Sequence, residues 1–327
     1  MTADRKPERQ LICETRQATE IIMKTRIFPK TGWKISEISL GCWGLGGQYG
    51  EIDRATAVAT VRTALDAGIN LFDTADAYGL EPGSSESIVG DALKDVRDDV
   101  FIASKVGNWA RRIGHPFTFS HPLHIVACCH ASLYRLKSET IDLYQCHISG
   151  LEDPDVFLEA FEKLIKEGKI RAYGISTNRL DVLERFNKAG GCTSCQLDYS
   201  LVNRDPEQDI LPYCRENNIA TLIRGPLAQG LLTGKYDENT RFDDAVRSKW
   251  NEPPGREDYL GKLRTMRSFQ DLTAKHSWTE TALMAILNHP AVTTVIPGAK
   301  SPAQVQDHVR ASDQEFSPEE KARLGPA

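Results

Sequence analysis

The sequence predicts a single (β/α)8 barrel, the TIM barrel architecture, with a short β-hairpin at its amino-terminal end. Eight short apolar runs rich in Val, Ile, Leu and Phe recur along the chain, and helix-like segments separate them. This alternation indicates parallel β-α units. Polar and titratable residues follow several of the runs, as is typical of the functional end of such a barrel. The length of 327 residues agrees with one domain, because barrels of this kind often exceed about 250 residues.

The chain divides into two predicted parts. Residues 1–22 are polar, and we expect them to form a disordered extension. Residues 23–327 form the predicted barrel domain, in which residues 23–33 make the hairpin before the first strand. The eight predicted strands cover residues 38–42, 70–73, 100–104, 141–146, 171–175, 194–198, 219–223 and 292–296.

The predicted helices carry start and stop signals at their ends. Asp53, Ser84 and the pair Asp205 and Pro206 precede three of them as caps, since these residues suit the free backbone N–H groups of a first turn. Gly68 and Gly168 follow two others, where glycine adopts the left-handed conformation that ends a helix. The predicted helices cover residues 54–67, 85–96, 123–136, 155–167, 180–188, 207–216, 257–275 and 279–287.

A glycine-rich run after the first strand raises the alternative of a doubly wound sheet. That fold usually places a G-x-G-x-x-G phosphate loop between its first strand and the following helix. Residues 41–47, GCWGLGG, lack this order, and the next predicted helix begins too late. The sequence therefore favours the closed barrel.

Composition excludes several classes of protein. The chain is 40% apolar and 26% charged with a net charge of -5, so no basic surface suited to nucleic acid is expected. No apolar run approaches the roughly 18 residues that cross a bilayer. The polar amino terminus lacks the apolar core of a signal peptide. We therefore expect a cytoplasmic protein without nucleic-acid or membrane partners.

Cysteine and histidine patterns do not predict a metal site. Of the eight cysteines, only Cys192 and Cys195 have the C-x-x-C spacing, and no second pair completes a four-ligand set. The others are expected to be buried, reduced thiols. Four histidines between residues 115 and 130 lack carboxylate partners at ligand spacing.

Four side chains at the ends of predicted strands suit carbonyl reduction. Asp73 ends the second strand, Tyr78 follows it, Lys105 ends the third and His147 ends the fourth. Hydride addition to a carbonyl carbon places negative charge on the oxygen, and a proton must follow. A tyrosine supplies that proton if a neighbouring ammonium lowers its pKa from about 10 and a carboxylate holds the lysine in place. A histidine then orients the carbonyl through a hydrogen bond.

Longer motifs resemble those of the aldo-keto reductase superfamily. The run GINLFDTADAYG at residues 68–79 is followed by Ser85, Glu86 and Gly90. The resemblance continues through IASK, IDLYQCH, GKIRAYGIS, CQLDYSLVNR, RGPLAQGLLTGKY and VIPGAKSPAQ. It covers roughly residues 23–312. It implies a barrel that binds a nicotinamide dinucleotide without a Rossmann domain, with Asp73, Tyr78, Lys105 and His147 as the catalytic tetrad.

The resemblance also implies a cofactor site. Ser176 and Gln196 would hold the carboxamide, and the backbone of residues 227–232 with Lys235 would follow the pyrophosphate. Lys300 and Ser301 suit a 2′-phosphate, because a cation and a hydroxyl both bind phosphate oxygens. The implied cofactor contacts are Trp43, Asp73, Ser176, Thr177, Asn178, Gln196, Arg224, Gly225, Pro226, Leu227, Gly230, Leu232, Lys235, Gly298, Lys300, Ser301, Gln304, Asp307 and His308.

Three residues depart from the family pattern. Thr177 replaces a usual Asn, with Asn178 one place later. Arg224 replaces an aromatic residue that stacks on nicotinamide, and a planar guanidinium can also stack. Gln304 replaces an Arg that grips the 2′-phosphate. The resemblance implies NADP(H) as the cofactor, and the last departure keeps NAD(H) as the less favoured alternative.

The predicted function is the reduction of an aldehyde or ketone, with sugars among the candidate substrates, by an enzyme that is a monomer or weak oligomer. Trp43 and Trp109 follow the first and third strands and would wall the substrate pocket, although core packing explains Trp43 equally well. The alternative is a nicotinamide-binding regulatory subunit, similar to the channel-associated β subunits that resemble this family. A different barrel enzyme, such as a phosphate-sugar isomerase, would not use Tyr78 and Lys105 together.

Overall fold

The computed structural model describes residues 23–115 and 118–325, without the side chains of residues 110 and 111. The predicted extension over residues 1–22 therefore lies outside the described residues. The described chain begins with an antiparallel hairpin of strands β1, Thr25–Ile27, and β2, Lys34–Ser36. The hairpin was predicted at residues 23–33, and its second strand lies just beyond that range.

Eight parallel strands follow, and each pairs with its neighbour in chain order. Hydrogen bonds from Ser39 N to Val295 O and from Gly41 N to Pro297 O join the first of these strands to the last and close the barrel. At Gly41, an added Cβ would lie 2.5 Å from Ile296 O, so closure requires glycine. The strands are β3 Leu40–Gly41, β4 Leu71–Asp73, β5 Phe101–Val106, β6 Ile141–Cys146, β7 Ile170–Ser176, β8 Ser194–Asp198, β9 Ala220–Arg224 and β10 Thr294–Val295.

Helices separate the strands and cover the outside of the barrel. Among the described residues they are α1 Arg54–Asp66, α2 Ser84–Leu93, α3 Trp109–Arg112, α4 Pro122–Leu136, α5 Asp155–Lys166, α6 Leu180–Phe186, α7 Ile210–Glu216, α8 Gly255–Arg267, α9 Trp278–Leu287, α10 Pro302–Val309 and α11 Pro318–Leu324. None of them combines the length and the apolar character that a bilayer crossing requires. The predicted (β/α)8 architecture is confirmed.

Helix ends agree with the sequence signals in part. Asp53 caps α1 by accepting the backbone N–H of Thr56 at 2.8 Å, as predicted. Ser84 was predicted as a cap, but it is the first residue of α2, and Gly83 occupies the cap position.

Two further boundaries were predicted wrongly. Asp205 and Pro206 belong to a separate 3-10 turn, and Asp209 caps α7. The helix predicted over residues 257–275 is α8 followed by a 3-10 turn at Gln270–Ala274.

The hairpin closes the amino-terminal end of the barrel. Phe28 and Ile35 are fully buried and pack in one cluster with inward-facing strand residues such as Leu71, Leu143 and Leu222. Burying a side chain of this size stabilises the fold by about 1.5–3 kcal/mol. One end is therefore sealed, and the carboxyl ends of the strands form the mouth at the other.

Candidate active site

Three neighbouring strands bring the predicted catalytic side chains together. Asp73 ends β4, Lys105 lies near the end of β5, and His147 directly follows β6. Tyr78 lies in the loop after β4. Because the strands are parallel and paired in order, all four side chains lie at the mouth of the barrel.

Lys105 is the centre of this group. Its ammonium donates hydrogen bonds to Asp73 Oδ2 at 2.7 Å, to the Thr74 carbonyl oxygen at 2.8 Å and to Tyr78 Oη at 3.0 Å. The side chain is fully buried. An ammonium has three donors, so each proton of this buried cation has a partner.

Opposing electrostatic effects act on Lys105 and Tyr78. Burial alone would lower the pKa of Lys105, but Asp73 and Tyr78 raise it above its ordinary value, so the ammonium form persists. Burial raises the pKa of Tyr78, and Lys105 opposes that rise only in part. The pKa of Tyr78 is therefore raised and not lowered as expected, because desolvation of the phenolate outweighs one nearby cation. The phenol is protonated and can donate.

His147 faces the same tyrosine. The two rings meet edge to face, with centroids 5.8 Å apart. Burial, followed by the charge of Lys105, holds the pKa of His147 well below its usual range. The imidazole is therefore neutral at pH 7 and offers one N–H donor and one acceptor.

The two predicted pocket tryptophans lie in different places. Trp43 stacks on Tyr78, with centroids 5.9 Å apart, and meets Tyr49 edge to face. It lines the cleft above Tyr78. Trp109 begins α3, is 45% exposed, and lies outside the lining of that cleft.

A cleft of about 650 Å³ crosses the mouth. It is lined by many of the residues that the sequence predicts as cofactor contacts, namely Trp43, Asp73, Arg224, Gly225, Pro226, Leu227, Gly230, Lys235, Gly298, Lys300, Gln304, Asp307 and His308. Other predicted contacts lie behind this surface or beside it, namely Ser176, Thr177, Asn178, Gln196, Leu232 and Ser301.

Gln196, on β8, bonds to the buried ion pair. Its Nε2 donates to Asp73 Oδ1 at 2.7 Å. Its Oε1 is buried and has no partner among the described residues. An orphaned buried oxygen costs free energy unless a ligand donates to it, so Gln196 has one acceptor to offer.

The residues around the end of β7 form hydrogen bonds with other parts of the protein. Ser176 ends β7 and is nearly buried. Thr177 Oγ1 donates to the Ser149 carbonyl oxygen at 2.7 Å. Asn178 exchanges two hydrogen bonds with the backbone of Asp198 and accepts one from Arg224 at 2.9 Å. The side chains of Thr177 and Asn178 are therefore engaged with protein groups.

The chain after β9 has a strained backbone where it lines the cleft. Ala228 and Gln229 have φ values of 46° and 57°, and Gly225 and Gly230 have 65° and 90°. Non-glycine residues rarely adopt this left-handed conformation, and it is common at ligand sites. Successive N–H groups in such a segment form a concavity that suits anions. Leu232 is fully buried, so only its backbone can contribute.

The rim near α10 is held by its own hydrogen bonds. Lys300 Nζ donates to the carbonyl oxygens of Tyr49 and Gly50 at 2.5 and 3.4 Å. The Lys300 backbone N–H donates to Gln304 Oε1 at 2.7 Å. Ser301 caps α10 by accepting the backbone N–H of Gln304 at 3.3 Å. A phosphate bound here would compete with these contacts.

Two further predicted contacts lie at the far end of the cleft. Asp307 forms an ion pair with Arg310 at 2.5 Å. His308 is buried, and burial lowers its pKa to about 4. It therefore presents a neutral ring to the cleft.

Comparisons with known proteins identify the family of this chain. The model of the aldo/keto reductase family matches residues 37–325. The chain belongs to the aldo/keto reductase family. It is 36% identical over 288 residues to the aldo-keto reductase YhdN of Bacillus subtilis, covering 84% of this chain and 85% of that protein. It is 33% identical over 299 residues to the NADH-specific methylglyoxal reductase of Escherichia coli, covering 85% and 90%.

Solved structures are similar over nearly the whole chain. The holo form of aldo-keto reductase AKR11C1 from Bacillus halodurans has a TM-score of 0.76 and 32% identity, with 93% of this chain and 95% of that one covered. An aldo/keto reductase from Klebsiella pneumoniae in complex with NADP and acetate has a TM-score of 0.69 and 27% identity, with coverage of 92% and 94%.

This aldo/keto reductase has cleft residues that no motif indicated. Arg247 is the clearest case, since it donates to Tyr236 Oη at 2.6 Å and pairs with Asp244 at 2.7 Å. Its guanidinium also lies over the rings of Tyr49 and Phe242. The other missed lining residues include Tyr236, Trp250 and Lys262.

The aldo/keto reductase shows no metal cluster within its described part. No three His, Cys, Asp or Glu side chains among residues 23–115 and 118–325 converge as ligands. The seven cysteines in these ranges are free thiols.

Proposed function

We propose that this aldo/keto reductase uses NADP(H) to reduce an aldehyde or ketone to the alcohol, with Tyr78 as the proton donor. One observation carries the proposal. A buried chain of hydrogen bonds runs from Asp73 through Lys105 to Tyr78, and it ends on a phenol that faces the cleft. Few functions other than proton transfer need a protonated phenol supported by a buried cation.

The residues of the chain perform the proton transfer as follows. Tyr78 donates its proton to the carbonyl oxygen, and Lys105 stabilises the phenolate that remains. Asp73 balances the charge of Lys105 throughout, so no uncompensated buried charge forms. The neutral His147 donates its N–H to the same oxygen and orients it. A bound nicotinamide would supply the hydride.

Two features of the cleft fit a nicotinamide dinucleotide. The orphaned Gln196 Oε1 can accept a hydrogen bond from a carboxamide N–H₂ group. The left-handed segment Ala228 to Gly230 lines the cleft, and among its backbone N–H groups that of Gln229 makes no backbone hydrogen bond within the described residues, so it could donate to a pyrophosphate. Ser176 and Arg224 would border the ring.

The preference for NADP(H) over NAD(H) is the finer part of the proposal. Lys235, Lys262 and Lys300 line the cleft and would favour an additional phosphate. The Klebsiella pneumoniae structure contains NADP, whereas the Escherichia coli relative is described as NADH-specific. Comparing the two nucleotides therefore decides this part of the proposal.

The proposed partner is a small carbonyl compound, and the proposed state is a monomer or weak oligomer. The regulatory-subunit alternative is not favoured, because no observation on the described residues supports it over catalysis. A subunit that only docks to another protein would not need the hydrogen-bonded chain of Asp73, Lys105 and Tyr78 at the cleft.

The test combines titration and turnover. NADPH and NADH are titrated by tryptophan fluorescence, and cofactor oxidation is then followed by absorbance with a panel of aldehydes and ketones. Tyr78→Phe should bind NADPH nearly as the natural protein does but lose turnover by about 100-fold or more, because it lacks the proton donor. Tyr134→Phe, which removes an equivalent hydroxyl from a side chain that is 86% exposed, should change neither quantity.

Two outcomes would contradict the proposal. Failure of both nucleotides to bind would remove the oxidoreductase function. Near-natural turnover of the Tyr78→Phe variant would leave the class intact but exclude Tyr78 as the donor.

A further inference from the structure

An open groove of about 520 Å³ lies at the mouth of the barrel, separate from the main cleft. It is lined by Gly79, Leu80, Pro82, Asn108, Arg112 and Ile113. The cofactor residues proposed above are absent from this lining. The groove is therefore available to another part of a bound substrate.

The groove begins beside the reacting groups. Gly79 directly follows Tyr78, and Gly107 directly precedes Asn108. An added Cβ at Gly107 would lie 2.8 Å from the Ile148 side chain and 3.7 Å from the His147 backbone nitrogen. The two sides of the groove are thus extensions of the segments that carry Tyr78 and adjoin His147. A carbonyl compound bound between those two side chains can extend its chain into the groove.

Three of the six residues that line the groove are apolar, namely Leu80, Pro82 and Ile113, and Asn108 and Arg112 are polar. Leu80 is 67% exposed and Ile113 is 44% exposed, so both apolar side chains are accessible to a bound ligand. None of the six lining residues is acidic. The groove therefore suits an alkyl chain and does not repel an anion.

Arg112 places an unpaired cation at this groove. Within residues 23–115 and 118–325, its guanidinium makes no hydrogen bond or ion pair, and it is exposed. The other guanidinium groups near the mouth are engaged. Arg224 bonds Asn178 and faces Asp198 at 3.7 Å. Arg247 is held by Asp244 and Tyr236.

We propose that the preferred substrates are carbonyl compounds that carry a carboxylate on a short apolar chain, and that Arg112 binds this carboxylate. This inference rests on the proposed function and names its substrate class. The carbonyl oxygen lies between Tyr78 and His147, the chain lies against Leu80 and Ile113, and the carboxylate reaches Arg112. A guanidinium binds a carboxylate through two parallel hydrogen bonds, which gives specificity as well as affinity.

Electrostatics near His147 agree with this arrangement. The positive charge of Arg112 is one of the effects that lower the pKa of His147, after burial and the charges of Lys105 and Arg224. Arg112 is therefore close enough to act on the carbonyl-binding group. A substrate carboxylate would neutralise part of this positive field.

The test compares ω-oxo carboxylates of increasing chain length with the matched neutral aldehydes. In the natural protein, KM should be lower for the carboxylate at one preferred length. Arg112→Gln should raise KM for that carboxylate about tenfold or more, with kcat nearly unchanged and KM for the neutral aldehyde unaffected. Arg112→Lys should give an intermediate value, because it keeps the charge but not the paired donors.

A matched control separates local binding from net charge. Arg215→Gln removes the same charge from an exposed position on α7, on the outside of the barrel, and should leave both KM values unchanged. Equal KM values for carboxylate and aldehyde in the natural protein would overturn the inference. So would an Arg112→Gln effect that is the same for both substrates.

A binding measurement keeps this inference distinct from the proposed function. Calorimetric titration with the corresponding straight-chain carboxylate, which lacks the carbonyl, should show binding to the natural protein and its loss in Arg112→Gln. Carboxylate binding without turnover of any carbonyl compound would contradict the proposed function but support the groove. Turnover of neutral aldehydes without carboxylate binding would contradict only the proposed carboxylate site at Arg112.

Discussion

Gln196 shows how one side chain can serve two sites. Its amide group donates to Asp73 from one end, and its buried oxygen is orphaned at the other. The first contact fixes the orientation of the amide, because the donor and acceptor ends differ. The second leaves a preorganised acceptor directed away from the ion pair. A cofactor carboxamide that bonds this oxygen would be positioned relative to Asp73 and Lys105.

Replacing Gln196 should therefore weaken cofactor binding. Gln196→Leu removes the acceptor, and we expect the Kd for NADPH to rise about tenfold, as for the loss of a buried hydrogen bond. Fluorescence titration measures this Kd. Gln145→Leu is the matched control, because Gln145 is equally buried on β6 and its amide has no partner among the described side chains. It should bind NADPH normally, and an equal loss in both variants would contradict the assignment.

At the scale of single residues, the sequence predicted which side chains form the site better than it predicted their pKa values. Asp73, Lys105 and His147 were found because they lie at the ends of predicted strands and because the motifs around them resemble those of the aldo-keto reductases. The direction of the Tyr78 pKa shift differs from the expected lowering, because the pKa depends on how much solvent the fold removes, and no local pattern records that amount. Arg247 was missed because its contact with the ring of Tyr49 joins segments far apart along the chain.

At the scale of elements, the segment after β9 combines strain with function. Ala228, Gln229 and Gly230 are consecutive residues with positive φ, and they line the cleft. Each non-glycine residue in this conformation costs about 1–2 kcal/mol. Such a cost persists where the arrangement of backbone donors is useful.

Substitution of a glycine in this segment should affect both stability and binding. At Gly230, which has a φ of 90°, an added Cβ would make only ordinary contacts, 3.6 Å from Arg247 and Tyr236. Gly230→Ala should therefore lower the free energy of unfolding by roughly 1–2 kcal/mol through the backbone, and it should also weaken NADPH binding. Urea unfolding and nucleotide titration measure the two effects.

Gly168→Ala is the control for the backbone effect. Gly168 has a φ of 68° at the end of α5, and nothing lies within 4 Å of an added Cβ. It should show a similar loss of stability with unchanged NADPH binding. If Gly230→Ala bound NADPH as well as Gly168→Ala does, the strained segment would have no part in cofactor binding.

Strands were predicted more completely than helices, for a physical reason. Strands buried on both faces are short continuous apolar runs, and all eight barrel strands lie inside or within one residue of the predicted ranges, except β5, which extends two residues further, to Val106. Helices α3, α10 and α11 were missed because they are short and their apolar positions are few. The misplaced caps at Ser84 and Asp205 reflect competition from nearby turns, which propensity alone does not resolve.

At the scale of the whole molecule, two buried groups change the free energy of unfolding in opposite directions as the pH changes. Burial, together with the charge of Glu86, raises the pKa of Asp76 to about 7. Its stabilising contribution is complete below about pH 4 and is lost as pH rises through 7. His308 has its pKa lowered to about 4, so stability falls as pH drops from about 6.5 towards 4. The two effects partly cancel between these limits.

Replacing Asp76 should remove its contribution to this pH dependence of stability. Asp76→Asn resembles the protonated form, so it should raise the free energy of unfolding at pH 8 by on the order of 1–3 kcal/mol and change it little at pH 4. Urea unfolding at the two pH values measures the difference. Asp98→Asn, at an exposed position, should have no such pH dependence. Equal effects of the substitution at both pH values would show that folding does not raise the pKa of Asp76.

The sealed end of the barrel has a practical consequence for handling the protein. Met23, where the described chain begins, lies beside Gly68, which precedes β4 on the hairpin side. The mouth is at the opposite end of every strand. A surface or label joined at Met23 would therefore be attached on the side of the barrel opposite the mouth. An enzyme immobilised in this orientation would keep its open face towards the solution, so reactants and products could exchange freely.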